Sequence, residues 1–229
     1  MGKTEVIVDT CFLQKLSSEG KAIENVEKVL SELEYISVVH PYIYEHELSL
    51  HSYFVRLVEN GYIRVISYDE FQKDAIDKQT YEAYYNVLYE DMRLTLDSMN
   101  GLKKIEKLCL REEQTIYNTH KQGSSMGDVH MMLMAAYLQM PIILTEDSDI
   151  EMLRDIAQRR MCLGQYTLQI FNGVQLVEKI AQKPSSSLTT KELENILKSM
   201  RERKAVSGVK ALWRENHSLP KGISGDKKI

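Results

Sequence analysis

The sequence predicts an α/β fold with three layers, in which a central, mainly parallel β-sheet lies between helices on both faces. Two observations support this prediction. Residues 4–9 (TEVIVD) form a β-branched run typical of a buried parallel strand, and four further strand-like runs follow along the 229 residues. Segments with apolar residues at helical spacing stand between these runs. Strands that alternate with helices favour a parallel sheet covered on both faces.

The first part of the chain is predicted to hold three strands and two helices. After the first strand, residues 17–33 show helical apolar spacing, and residues 35–40 (YISVVH) form the second strand. Pro41 opens the next helix, because its fixed φ angle and missing N–H suit a first turn. Residues 61–67 (GYIRVIS) are the third strand. The inner face of the helix after Pro41 is expected to carry Ile43, Glu47, Leu50, Phe54 and Leu57.

The middle and later parts continue this alternation after a long helical region. Residues 69–120 are predicted to be mostly helical, and the segment KQGSSMG (121–127) ends that region. Its second half is expected to place four apolar residues on a helix: Leu102, Ile105, Leu108 and Leu110. The remaining predicted elements are a helix at 128–140, a strand at 141–145, a helix at 149–160, a strand at 166–171 and a helix at 174–182.

The C-terminal part differs from the rest in charge. From Pro184 onward, ten Lys and Arg stand against five Asp and Glu, so residues 184–229 carry +5 and the total of −4 leaves −9 for residues 1–183. We therefore divide the chain into a domain at 1–183, with a helical insertion at about 69–122, and a basic helical extension. Thr190 or Thr189 is expected to cap the helix of this extension, and the end LPKGISGDKKI is predicted to be disordered.

Composition places the chain among soluble proteins. Its longest apolar stretches are interrupted by polar residues and are too short to cross a bilayer, and the start MGKTEVIVD lacks the apolar core of a signal peptide. The chain has three cysteines, an odd number, and they stand far apart at positions Cys11, Cys109 and Cys162. This pattern suggests neither a disulfide framework nor a zinc site. We expect a cytoplasmic protein that does not bind membranes.

Acidic residues stand where a parallel sheet binds ligands. The stretch LTEDSDI places Glu146, Asp147 and Asp149 directly after a predicted core strand, although adjacent carboxylates repel one another and resist desolvation. Ligands of open parallel sheets bind beyond the carboxyl ends of strands and near helix N-termini. Four acids are expected to meet there: Asp9, Glu47, Asp128 and Asp147. Because no side chain in these motifs is predicted to neutralise the acids, Mg²⁺ or Mn²⁺ is the expected counter-charge.

Three segments, VIVDTCFL, PYIYEHEL and GDVHMMLMAAYLQMPIILTEDSDI, resemble the PIN-domain nucleases. The resemblance covers roughly residues 4 to 180 in order. It implies a PIN-like fold and metal-dependent hydrolysis of single-stranded RNA that leaves 3′-hydroxyl and 5′-phosphate ends, with Mg²⁺ or Mn²⁺ as cofactor. The family's acids, which would be the catalytic and metal-binding residues, fall on Asp9, Glu47, Asp128 and Asp147, with Asp149 as an auxiliary acid. Thr10 and Thr145 match the small hydroxyl residues that flank those acids, and the resemblance makes them candidates for binding the substrate.

Several alternatives stay open. Glu45 competes with Glu47 for the second acid, and each aspartate also suits a helix cap or first turn. A phosphatase of the haloacid dehalogenase type needs a second acid two residues after Asp9, where this chain has Cys11. A non-catalytic PIN-like module for RNA binding or protein assembly is the main alternative function. The number of metal ions, a homo-oligomer, and an antitoxin or regulatory protein partner also stay open. Candidates for guiding the RNA backbone are Lys121, Arg201 and Arg203.

Overall fold

The computed structural model describes residues 3–99, 103–121 and 123–217. Five strands in this part of the chain form one sheet, in which every neighbouring pair is parallel, in the order β3-β2-β1-β4-β5. The predicted α/β class and parallel sheet are therefore confirmed, and all five predicted strands are present in shortened form. The strands are β1 (Thr4–Val8), β2 (Tyr35–Val39), β3 (Ile63–Val65), β4 (Ile142–Leu144) and β5 (Gln169–Phe171).

Helices flank this sheet. The α-helices are α1 (Thr10–Leu16), α2 (Glu24–Glu32), α3 (Pro41–His46), α4 (Ser52–Glu59), α5 (Ala75–Ser98), α6 (Met126–Leu138), α7 (Asp149–Arg160), α8 (Gly173–Gln182), α9 (Thr190–Ser199) and α10 (Val206–His217). Short 3₁₀ helices lie at Leu48–Leu50, Tyr68–Glu70 and Arg203–Ala205. Helix α6 is buried on nearly all sides because it contacts α3, α5 and α7. No helix in the described ranges has the length and apolar character needed to cross a membrane.

The strand order places a crevice between β1 and β4. The chain runs outward from β1 through β2 to β3, and then returns to build β4 and β5 on the other side of β1. Val8 pairs with Leu144 at the carboxyl ends of these two strands, and the Asp9 N–H donates to the Leu144 carbonyl at 3.0 Å. Connections that leave two neighbouring parallel strands in opposite directions open such a crevice beyond their carboxyl ends. The segments after β1 and β4 therefore meet there.

The predicted helix after Pro41 is wrong in its length. Helix α3 ends at His46, and Glu47 leaves helical geometry with φ −130° and ψ −62°. The Ser49 hydroxyl also donates to the Glu45 carbonyl at 2.9 Å, a side-chain bond that competes with helical pairing. Leu50, in the 3₁₀ helix that follows, is 74% exposed rather than buried, whereas Phe54 and Leu57 of α4 are buried as expected.

The predicted helix in the second half of the insertion is also wrong. Helix α5 covers the first half, but residues 103–121 contain no helix, and Leu102 lies outside the described residues. Side chains of the core bind the backbone of this segment instead. The Tyr89 hydroxyl donates to the Glu106 carbonyl at 3.0 Å, and the Tyr42 hydroxyl donates to the Thr119 carbonyl at 2.8 Å. Ile105 is buried whereas Leu110 is 37% exposed.

The C-terminal helices pack against the rest of the chain. Helix α10 contacts α8 and α9, and Leu193, Ile196 and Leu197 of α9 are buried. Of the two threonines considered as caps, Thr189 is the one that accepts from the Glu192 N–H, and Glu192 closes a capping box. The predicted disordered end at 219–229 lies outside the described residues. The extension is thus helical, as predicted, and part of it contributes to the hydrophobic core.

Candidate acidic site

A cavity of about 610 Å³ lies beyond the carboxyl ends of β1 and β4. Its wall contains four carboxylates from four separate parts of the chain. Asp9 follows β1, Asp147 follows β4, and Asp128 is in the first turn of α6. Glu47 stands at the break between α3 and the next 3₁₀ helix, and it lines the cavity, whereas Glu45 is exposed. The structure thus brings together the four predicted acids and favours Glu47 over Glu45.

Thr145 connects the two strand-end aspartates. Its hydroxyl donates to Asp9 Oδ2 at 2.8 Å and accepts from the Asp147 N–H at 3.1 Å. The other Asp9 oxygen accepts from the Thr10 N–H at 2.7 Å, and the Cys11 thiol also lies 2.7 Å from Oδ2. Thr145 is only 2% exposed, so its role here is to orient the acids.

The capping alternatives are met only in part. Asp9 is the N-cap residue of α1, but its carboxylate also faces the cavity. Asp147 Oδ1 accepts from the Asp149 N–H at 2.8 Å at the start of α7, where Ser148 is the N-cap. Asp128 is not a cap, because Ser125 holds the N-cap position of α6. Asp128 therefore fits the first-turn alternative, whereas the Glu47 side chain makes no capping hydrogen bond.

The acids raise one another's pKa values. Burial raises the pKa of Asp9, and the charge of Glu47 adds to this, although hydrogen bonds from Cys11 and Thr145 oppose it. Burial and the charges of Asp9 and Asp147 raise the pKa of Asp128 to about 7. The pKa of Glu47 is also raised by burial and by Asp128. Such a cluster holds its negative charge more easily when a cation is close.

The structure shows one such cation, Lys103, which the sequence motifs did not reveal. Its Nζ lies 2.7 Å from Asp147 Oδ2 and 2.9 Å from Asp149 Oδ2. Burial lowers the pKa of Lys103, but the hydrogen bonds to these two carboxylates and the charge of Asp128 outweigh burial, so the net shift is upward. Lys103 is 44 positions away from Asp147 in an irregular segment, so sequence spacing gave no signal for it.

The donor atoms suit a hard divalent cation, although they are not yet arranged as a coordination shell. Within the described ranges, no three His, Cys, Asp or Glu side chains are placed to hold a metal ion. The buried hydroxyls of Thr10 and Ser125 line the cavity and form no hydrogen bond of normal geometry. Thr10 lies near Glu47 and Ser125 near Asp128, where each hydroxyl partly opposes the rise in the pKa of the acid. Carboxylates and hydroxyls with spare oxygens are the ligands that Mg²⁺ and Mn²⁺ prefer. Asp9, Glu47, Asp128 and Asp147 would hold the ion, and Lys103 would have to move away from Asp147.

The three predicted basic residues lie in different places. Lys121 lines the same cavity, where its Nζ lies 3.4 Å from Glu106. Arg201 lines a neighbouring depression next to Cys11, and its side chain is 84% exposed. Arg203 is exposed on a 3₁₀ helix. Neither arginine reaches the acidic cavity.

Histidines also surround the cavity, although no sequence motif indicated a role for them in the site. His46, His51 and His120 line it, and the rings of His46 and His120 stack with centroids 5.6 Å apart. His130 lies behind the wall, fully buried, between the Tyr81 hydroxyl and the Ile116 carbonyl, each at 2.8 Å. Burial lowers the pKa of His130 to about 3, so it is a neutral structural residue at ordinary pH.

Comparison with protein-family models, with curated proteins and with solved structures finds no match to this chain. The resemblance to PIN-domain nucleases therefore rests on the sequence motifs, while the acidic cavity is an observation independent of that resemblance.

Proposed function

We propose that this protein is a metal-dependent endoribonuclease of the PIN-like type, which hydrolyses phosphodiester bonds in single-stranded RNA. The observation that supports this proposal most is the cavity in which Asp9, Glu47, Asp128 and Asp147 converge. Three of these carboxylates have raised pKa values, so the cluster is costly to fold without a cation. Perturbed acids in a cleft are typical of a functional site rather than of a helix cap.

The residues of the chain position and charge the site. The Thr145 hydroxyl and the Thr10 N–H fix the carboxylate of Asp9, while the same hydroxyl fixes the backbone of Asp147. Asp128 supplies further negative charge from α6, and Glu47 supplies it from the segment directly after α3. Mg²⁺ or Mn²⁺ held by these acids would supply a water nucleophile of lowered pKa and would offset the charge that develops on the phosphate. Burial and mutual repulsion raise the pKa values of Asp9, Glu47 and Asp128, so proton uptake at these three acids is shared within the cluster.

The choice of single-stranded RNA follows from the resemblance and agrees with the cavity wall. His46, His51 and His120 place aromatic rings on this wall, and aromatic side chains are the groups with which unpaired bases stack. Lys121 is placed on the same wall to meet the phosphate backbone. These groups bring positive or aromatic surface to an otherwise acidic opening.

Cleavage of a labelled single-stranded RNA tests this proposal. We expect cleavage with Mn²⁺ or Mg²⁺ but not with EDTA, and we expect Asp128→Asn to abolish it because a ligand charge is lost. Asp69→Asn is the matched control, since Asp69 is exposed and lies outside the cavity. Equal metal-dependent cleavage by the wild type and Asp128→Asn would contradict the assigned site.

The second candidate function is a non-catalytic RNA-binding or assembly module. Lys103 favours it, because an ammonium group bonded to Asp147 and Asp149 neutralises part of the cluster without any metal. Calorimetry distinguishes the two functions. A protein that neither binds Mn²⁺ nor cleaves RNA would be such a module.

A further inference from the structure

Lys103 binds Asp147, one of the four carboxylates that the proposed metal site needs. Its ammonium group contacts Asp147 Oδ2 at 2.7 Å and Asp149 Oδ2 at 2.9 Å, and it lines the cavity together with Asp9 and Asp128. An ammonium ion and a divalent cation that share one carboxylate lie within a few ångströms of each other and repel strongly. Binding of the metal and the present position of Lys103 are therefore mutually unfavourable.

The released ammonium would remain at the cavity. Residues 106–119 are anchored by core side chains that bind their carbonyls, so the backbone after Lys103 stays in place. A lysine head moves easily on its four-carbon stem. The side chain of Lys103 is 36% exposed, which leaves it room to swing toward the open part of the cavity. The group that a metal-bound cavity would present to this ammonium is the substrate phosphate.

We propose that Lys103 neutralises Asp147 and Asp149 in the metal-free protein, and that it becomes a ligand of the RNA phosphate when a divalent ion takes its place. This inference rests on the proposed nuclease function. It makes Lys103 a substrate-binding residue that acts only after the metal is bound. It also explains why a lysine lies against acids that a catalytic cation requires.

Calorimetric titration with Mn²⁺ tests the exchange. Lys103→Met removes the competing charge, so we expect it to bind Mn²⁺ at least about fivefold more tightly than the wild type, the lower end of ordinary coupling between ligands. Lys103→Arg keeps the charge and should bind Mn²⁺ as the wild type does. Lys104→Met is the matched control, because Lys104 is exposed and does not line the cavity.

The outcomes separate this inference from the function on which it rests. Tighter Mn²⁺ binding by Lys103→Met than by the wild type, Lys103→Arg and Lys104→Met would support the exchange. Equal affinities of wild type and Lys103→Met would overturn the exchange while leaving the metal site standing. No Mn²⁺ binding by any variant would overturn both, and Lys103 would then be a permanent counter-ion. If Lys103→Met does not fold, Lys103→Gln takes its place in the same titration.

RNA binding tests the second half of the inference. The fluorescence anisotropy of a labelled single-stranded RNA is measured with the full chain in Ca²⁺ and in EDTA, after calorimetry has verified Ca²⁺ binding and with a gel to show that the RNA stays intact. We expect Lys103→Met to weaken binding in Ca²⁺ and to reduce the salt slope there by about 0.7, the value for one phosphate contact on a single strand. In EDTA the variant should bind as the wild type does. An equal effect in both conditions, or none, would contradict the transfer to phosphate.

Discussion

At the scale of single residues, the charge of the cavity depends on four acids and on Lys103, which binds one of them. Asp9 and Asp147 follow strands, and the rule that ligands lie beyond the carboxyl ends of parallel strands predicted their meeting from order alone. Glu47 was chosen because it shares the apolar spacing of a predicted helix. That helix ends at His46, yet Glu47 lines the cavity with the other acids. No local sequence pattern points to Lys103, because its place beside Asp147 depends on the path of an irregular segment.

Asp128 provides a pH test that needs no metal. Its pKa is about 7 in the folded protein and near the ordinary value of 3.8 when unfolded. The folded state therefore binds more protons between these values, and the stability that Asp128 contributes is present at low pH and lost as the pH rises through about 7. Asn mimics the neutral acid. In EDTA, we expect Asp128→Asn to exceed the wild type in free energy of unfolding by more near pH 8 than near pH 5.

Urea denaturation at the two pH values measures this difference. Asp69→Asn is again the control, since its carboxylate is exposed and should change stability little at either pH. The same stability difference near pH 5 and near pH 8 would mean that Asp128 is not buried next to ionised acids. The repulsive cluster would then be contradicted.

At the scale of elements, strands were easier to predict than the segment that covers the site. Each strand carries its own apolar signal, and all five were found. Residues 103–121 also carry apolar residues at helical spacing, yet they form no helix. Their backbone carbonyls are satisfied by remote side chains, among them His130, which donates to Ile116, and Tyr42, which donates to Thr119. Such partners come from distant sequence positions, so local periodicity does not reveal them.

Tyr42→Phe tests this mode of attachment. The variant removes the 2.8 Å hydrogen bond to the buried Thr119 and leaves its carbonyl without this donor, which costs about 1–3 kcal/mol. We expect faster amide hydrogen exchange in the peptide that contains residues 115–121, with little change in the strands. The control is Tyr44→Phe, because the Tyr44 hydroxyl makes no hydrogen bond within the described residues. Unchanged exchange in the peptide would show that other contacts hold the segment.

At the scale of the whole molecule, the basic extension has both a structural role and a charge. Leu193, Ile196 and Leu197 of α9 are buried, and α10 packs on α8. Deleting residues 184–229 would expose this apolar surface, so lost RNA binding in such a deletion would not report on charge. The sequence predicted the helix and its charge excess but not this packing, which depends on the placement of α8. Substitution of exposed arginines is therefore the cleaner test.

The double variant Arg201→Gln and Arg203→Gln tests the extension as an electrostatic contact. Both side chains are exposed and outside the cavity, so we expect unchanged stability and unchanged Mn²⁺ affinity. If both contact the RNA backbone, the slope of log K against log salt should fall in magnitude by about 1.4, or about 0.7 for each lost contact. Lys191→Gln, on an exposed position of α9, is the control. A slope equal to that of the wild type would exclude the two arginines. The electrostatic contact would then belong to the lysines of the cavity wall, Lys103 and Lys121, which stand beside the four acids.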